Sequence, residues 1–170
     1  GFASDLAERA GGRFAILNPG GGWVTKLWPA ERFGELADLV SDRLGLTPIV
    51  VTAPAERELA ERVAARSKSG RTLYAEPGLK EFYELAKRAA VYVGGDTGPT
   101  HIAVAAGAPV VGLFGPTEWW RNGSPRASDI CVERTDIPCR INCHRRRCDA
   151  WICMEIAPTA VLDAVSRRLT

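Results

Sequence analysis

The sequence predicts an α/β fold built on a parallel sheet with helices on both faces. From Arg13 onward, apolar strand runs alternate with amphipathic helical patterns, the arrangement that crossover helices on a parallel sheet require. The central runs are continuous in β-branched and aliphatic residues rather than alternating, as strands buried on both faces must be. A chain of 170 residues with 46% hydrophobic and 25% charged residues suits one domain that buries a real core.

The opening GFASDLAERAGG has weak helical periodicity and then a Gly-Gly break. It reads as a linker or the tail of an interdomain segment over residues 1–12, with the domain itself at 13–170. RFAILNP is the first strand, and WPAERFGELADLVSDRLG the first helix of the domain. Pro29 suits a first helical turn, and Phe33, Leu36, Ala37 and Val40 form an i, i+3, i+4, i+7 face. Gly45 falls where a helix C-cap belongs. TPIVVTA is the second strand. In the helix PAERELAERVAARSKSG, Leu59 and Val63 lie one turn apart and Gly70 marks the stop.

RTLYAE is a weaker third strand, LKEFYELAKRA a helix, and AAVYVGG a fourth strand. PTHIAVAAG is a short helix between Pro99 and Gly107, and APVVGLFGP a fifth strand. Tyr74, Phe82 and Tyr83 fall within a strand or on a helix face and are expected in the core. From Thr117 to Pro158 neither period appears, and the segment is rich in Trp, Cys and Arg. Trp119 and Trp120 there either line a cleft or pack under the long loop. TAVLDAVSRRL closes the chain as a helix. There is no internal repeat and no low-complexity tract.

The formal charge of +2 is too small to argue for a nucleic-acid partner, and the locally basic run His144-Arg145-Arg146-Arg147 reads as a solvated loop. No apolar run approaches the roughly 20 residues that span a bilayer, and no basic-then-apolar start suggests a signal peptide. The expectation is a cytoplasmic protein.

Two turns carry the chemistry. NPGGGWVTKLWP follows the first strand, and its glycines, Gly21 and Gly22 among them, let backbone amides approach an anion, with Lys26 adding a positive charge. The plainer alternative is a flexible loop. GGDTGPTH, from Gly94 to His101, follows the fourth strand and opens a helix. Gly94 and Gly95 permit a sharp reversal, Asp96 or Thr97 can cap the helix, and Gly98-Pro99 starts it with free N–H groups that favour a phosphate. His101 lies in the first helical turn. Neither turn has the G-x-G-x-x-G dinucleotide pattern, nor G-x-x-x-x-G-K-[ST], so a nucleotide diphosphate held in another arrangement is the reading that remains.

PCRINCHRRRCDAWICM places Cys139, Cys143, Cys148 and Cys153 at C-x3-C-x4-C-x4-C. Reduced thiols in a loop are the first reading. A zinc or iron–sulfur clip comes next, since the spacing fits structural zinc only loosely, and disulfides come last for a cytosolic chain. Cys131 stands apart and reads as a small buried apolar residue.

TKLWPAERFGELADLV together with VGGDTGPTHIAVAAGAPVVGLFGPT resembles glycosyltransferase family 9, the heptosyltransferases of lipopolysaccharide core assembly, from about Phe14 to the last helix. The resemblance implies the C-terminal, Rossmann-like half of a GT-B enzyme, which binds a nucleotide-sugar donor, ADP-heptose or another nucleotide diphosphate sugar. It implies that Lys26, with Thr25 beside it, meets donor phosphate and that Glu56 holds the ribose hydroxyls. Asp96, Thr97, Gly98 and His101 would stand at the diphosphate and sugar, with Lys26 and Asp96 in catalytic roles.

Transfer in the family inverts configuration and requires no metal or other cofactor. The general base, and the surface for a lipid-linked saccharide acceptor, belong to an N-terminal domain outside this chain. By itself the chain is therefore expected to bind donor but to transfer sugar poorly, with peripheral contact at the inner face of the bacterial inner membrane. The other readings are a family member with a different sugar or acceptor, a stand-alone nucleotide-sugar-binding module, and a metal or redox module built on the cysteine segment.

Overall fold

A computed structural model describes residues 1–140 and 143–170. Six strands form one wholly parallel sheet: β1 (Phe14–Asn18), β2 (Thr47–Val51), β3 (Leu73–Ala75), β4 (Val91–Gly94), β5 (Val110–Phe114) and β6 (Ile130–Glu133), in the order β3-β2-β1-β4-β5-β6. Ile16 pairs with Ile49 on one side of β1 and with Tyr92 on the other. The strand order reverses between β1 and β4, and a doubly wound sheet opens its ligand crevice beyond the carboxyl ends of the strands at that point.

The helices are α1 (Phe2–Arg9), α2 (Ala30–Leu44), α3 (Arg57–Arg66), α4 (Leu79–Ala86), α5 (Gly98–Ala105), the single turn α6 (Trp119–Asn122) and α7 (Pro158–Leu169). Because successive strand side chains point to opposite faces, β1 feeds two cores. Ala15 and Leu17 join Phe33, Leu36, Ala37 and Val40 of α2, Val63 of α3 and Val161, Ala164 and Val165 of α7. Phe14 and Ile16 join Leu6 of α1, Phe82 and Leu85 of α4 and Ala103 of α5. The face expected of α2 is the buried one, and Gly45 ends that helix in the left-handed region at φ 64°. Gly34 lets α2 and α3 close together, since a Cβ there would stand 2.7 Å from the Val63 carbonyl oxygen.

Four features differ from the sequence reading. Residues 1–12, expected as a linker or interdomain tail, contain α1, whose Ala3, Leu6 and Ala7 are buried in the second core. The stretch from Thr117 to Pro158 contains α6 and the edge strand β6; its ICVE run is half-exposed and too short to show a period. Phe82 is buried, but Tyr74 and Tyr83 are each 40% exposed, because β3 is the other sheet edge and Tyr83 lies on the flank of α4. Cys131 is only partly buried on β6.

One buried carboxylate joins the C-terminal part together. The Asp129 side chain is fully enclosed and accepts from the Val110 N–H, Arg126 Nε and Arg168 Nε, each at 2.9 Å, and from the Ser124 hydroxyl. Burial alone would push its pKa up. The four donors outweigh burial and hold the carboxyl below its ordinary value.

Candidate functional site

The turns after β1 and β4 meet at the reversal point. A short 3-10 turn, Val24–Lys26, delivers Lys26, whose Nζ lies 3.0 Å from Asp96 Oδ2 and 4.1 Å from the Trp23 ring centroid. Asp96 is 8% exposed, and its Oδ2 also accepts from Thr117 Oγ1 at 2.8 Å and Asn122 Nδ2 at 3.1 Å. Oδ1 is turned toward His101, with Nε2 3.9 Å away on an exposed ring. One carboxylate oxygen thus gathers Lys26, Thr117 and Asn122, and the other faces His101.

Helix α5 begins at Gly98 behind an extended Thr97, and no side chain caps it. Asp96 is committed to Lys26, Thr117 and Asn122, and Thr97 Oγ1 lies 3.4 Å from Thr100 Oγ1, so the expected side-chain cap is not made. The open N-terminus keeps its partial positive charge facing the crevice.

A buried polar network holds this turn in place. Asn18 Nδ2 donates to the Tyr92 hydroxyl at 3.0 Å, that hydroxyl lies 2.9 Å from Thr100 Oγ1, and Thr100 donates to the Gly95 carbonyl at 2.6 Å. Tyr92 lies directly beneath Gly94, where a Cβ would come within 2.4 Å of the phenolic oxygen, so only glycine fits.

Glu56 staples the two neighbouring turns. It accepts from the Ala53 N–H through Oε1 and from the Gly21 N–H through Oε2, both at 3.0 Å. The Gly21 amide, expected to face an anion, is therefore engaged within the protein. Glu56 also walls a pocket of about 130 Å³ lined by Asn18, Val51, Thr52, Pro77, Leu79, Phe82, Pro99 and Ile102. The lining is mostly apolar, with Glu56, Asn18 and Thr52 as its polar side chains, a mixture typical of small-molecule pockets.

Thr25 also departs from its expected place. It is 2% exposed; its hydroxyl donates to the Arg145 carbonyl at 2.6 Å and its carbonyl accepts from Trp151 Nε1 at 3.0 Å. It fastens the cysteine segment instead of facing the crevice. Gly22 is exposed, and Gly98 lies at the mouth of α5. Among the expected residues, the structure brings Lys26, Asp96, Thr97, Gly98 and His101 to one mouth and sets Glu56 on the adjoining pocket. Sequence reasoning passed over Asn18, Tyr92, Thr100, Thr117 and Asn122. The signals available were a polar residue ending β1 and a lone phenol among the β-branched residues of β4.

Cys139, Cys143, Cys148 and Cys153 line a single small cavity together with Thr25, Gly115 and Trp151. All five cysteines are free thiols, and among the described residues no group of three or more His, Cys, Asp or Glu is placed to hold a metal ion. Burial, and then the neighbouring Cys143 and Cys139, push the Cys153 thiol up. Trp119 packs edge-on against Phe114 with centroids 5.2 Å apart, whereas Trp120 is exposed beside Arg121.

The doubly wound sheet with its site at the reversal point is the lobe architecture of GT-B glycosyltransferases. Glycosyltransferase family 9 (heptosyltransferase) matches residues 2–150 by its sequence profile, and the chain belongs to that family. It is 31% identical over 138 residues to lipopolysaccharide heptosyltransferase 1 of Pseudomonas aeruginosa, covering 81% of this chain and 38% of that protein. A family 9 glycosyltransferase from Veillonella parvula superposes with a TM-score of 0.82 at 23% identity, over 98% of this chain and 50% of its own. Escherichia coli ADP-heptose lipopolysaccharide heptosyltransferase II gives 0.78 at 19% identity, over 99% of this chain and 51% of its own. The chain therefore spans about half the length of these solved structures. Among the described residues, no helix is long and apolar enough to cross a membrane.

Proposed function

We propose that this chain is the donor-binding half of an inverting glycosyltransferase that moves a heptose from ADP-heptose to the inner core of lipopolysaccharide. The observation that carries this reading is Lys26 Nζ, 3.0 Å from Asp96 Oδ2 in front of the uncapped α5. In this reading the diphosphate rests on the α5 N-terminus beside Lys26. The base enters the pocket under Pro77, Leu79 and Pro99, and the ribose hydroxyls donate to Glu56. Asp96 Oδ1 accepts from hydroxyls of the sugar and sets the direction in which its anomeric carbon faces.

The acceptor hydroxyl attacks that carbon as the bond to the diphosphate oxygen breaks, and the hydroxyl proton passes to a base. Negative charge grows on the departing diphosphate. Lys26 and the helix end then bind the transition state more tightly than the ground state, so they supply the electrostatic help that a divalent metal gives elsewhere. The base and the surface for a lipid-linked saccharide come from a second lobe of the kind that the rest of the relatives' length would make. This chain alone then binds donor and transfers little, and the assembled enzyme works at the cytoplasmic face of the membrane that holds its acceptor.

Calorimetric titration tests the reading. The folded chain is expected to bind ADP and, more tightly, ADP-heptose. Lys26→Ala should lose about tenfold for both, equivalent to ~1.4 kcal/mol. Asp96→Ala should lose most for ADP-heptose. A folded chain that binds none of the ADP, UDP or GDP sugars would overturn the assignment.

A further inference from the structure

Arg145, Arg146 and Arg147 follow His144 in a loop that the fold fastens beside the Lys26 turn. Thr25 donates to the Arg145 carbonyl, and the His144 N–H donates to the Pro116 carbonyl at 3.0 Å. The His144 ring meets Glu118 Oε2 at 3.1 Å, and Trp151 holds the Thr25 carbonyl from the other side. The backbone is pinned while the three arginine side chains stay exposed. A solvated loop has no need of such anchors.

Most arginines of this chain are matched to acids. Arg57 pairs with Glu76, Arg62 with Glu31, Arg66 with Glu35, Arg134 with Asp136, Arg140 with Glu133, and Arg126 and Arg168 share Asp129. Among the described residues no carboxylate pairs with Arg145, Arg146 or Arg147, although they are consecutive. Arg146 instead lies over Trp23, its Cζ 4.8 Å from the ring centroid, and the same ring carries Lys26 Nζ at 4.1 Å. One indole therefore gathers two cations from segments far apart in the chain; Lys26 is matched by Asp96, whereas Arg146 has no carboxylate partner among the described residues and keeps its charge available to an anion.

We propose that Arg145, Arg146 and Arg147, with Trp23, form an anion subsite adjoining Lys26 that takes a phosphate group. A guanidinium offers a planar fork that matches phosphate oxygens two at a time, and stacking on Trp23 orients the fork of Arg146 before the ligand arrives. Two molecules can bring that phosphate: the nucleotide diphosphate of the donor, or a phosphorylated saccharide on the acceptor side. The donor option rests on the function proposed above; the subsite itself does not.

The test compares wild type with Arg146→Gln, and with a double variant, Arg145→Gln and Arg147→Gln. All three exposed side chains can change without disturbing the core, and an unchanged melting temperature serves as the folding control. ADP is titrated first, then glucosamine 6-phosphate into ADP-saturated protein, both at low and moderate salt. ADP affinity that falls about 5- to 10-fold in Arg146→Gln, with a weaker salt dependence, assigns the phosphate to the donor. Unchanged ADP affinity with a similar loss for glucosamine 6-phosphate assigns it to the acceptor side. A wild-type chain that binds glucosamine 6-phosphate through these arginines but never binds ADP keeps the subsite and removes the nucleotide reading. Equal affinities of wild type and both variants for both probes would overturn the proposal, as would no binding of either probe by wild type. Trp23→Leu checks the ring: it should weaken the same probe as Arg146→Gln, and a wild-type affinity in that variant would remove Trp23 from the subsite.

Discussion

Thr25 and Arg145 lie 120 positions apart, and the Thr25 hydroxyl donates to the Arg145 carbonyl across 2.6 Å. That bond joins the turn bearing Lys26 to the basic loop. Thr25→Val keeps the shape and removes the donor, at a cost of about 1 kcal/mol. Limited trypsin digestion at Arg145, Arg146 and Arg147 should then run about fivefold faster, since local opening governs cleavage while reclosing is fast. A cleavage rate equal to wild type would mean that the loop is held by its other anchors.

Asp129 gives a prediction about pH. Asp129→Asn leaves two partly buried guanidinium groups without their carboxylate and should destabilise the fold by about 3 kcal/mol at neutral pH. The folded carboxyl titrates below its unfolded value of about 3.9, so its stabilisation is complete well above that value and fades as pH falls through the lower, folded one. Urea unfolding of both proteins should show the gap narrowing with acidification below about pH 4. A gap independent of pH would show that the ionised carboxylate is not the stabilising species.

The cysteines should react in a fixed order. Cys139 is exposed, whereas Cys153 is buried, and burial raises the thiols of both Cys153 and Cys131. Since the thiolate is the nucleophile, iodoacetamide near neutral pH should label Cys139 first, with Cys131 and Cys153 slower by more than about tenfold. Peptide mass spectrometry reads the order. Early labelling of Cys153 would require the cavity beneath the loop to open readily.

The long elements were legible because their apolar residues recur at the helical period or run unbroken through a buried strand. The face of α2 with its glycine stop, and the buried runs of β1, β2, β4 and β5, declare themselves in that way, while β3, three residues at the sheet edge, reads only as a weaker strand between two helical patterns. β6 did not, because an edge strand of four half-exposed residues has little period to display. Lys26 and Asp96 were readable as motif residues on separate turns, and the fold brings them to 3.0 Å. Thr25 was misplaced for a complementary reason. Its neighbour Lys26 faces the crevice, but its own partners are Arg145 and Trp151, which sequence spacing cannot bring together. Tyr92 and Asn18 escaped notice because their task is to support a glycine turn from below. Residues that position others carry no motif of their own.

Trp28 Nε1 donates to the Ile156 carbonyl at 3.0 Å across 128 positions, and Trp151 Nε1 reaches the Thr25 carbonyl across 126. During synthesis the strands and helices nearest the N-terminus can form from neighbouring pieces, at small loop-closing cost. The turn that carries Lys26 cannot be fastened until the segment containing Trp151 and Ile156 has left the ribosome. The mouth of the crevice is thus among the last parts to assemble, and a prematurely terminated chain could retain much of its sheet while lacking the clasp that sets its lysine.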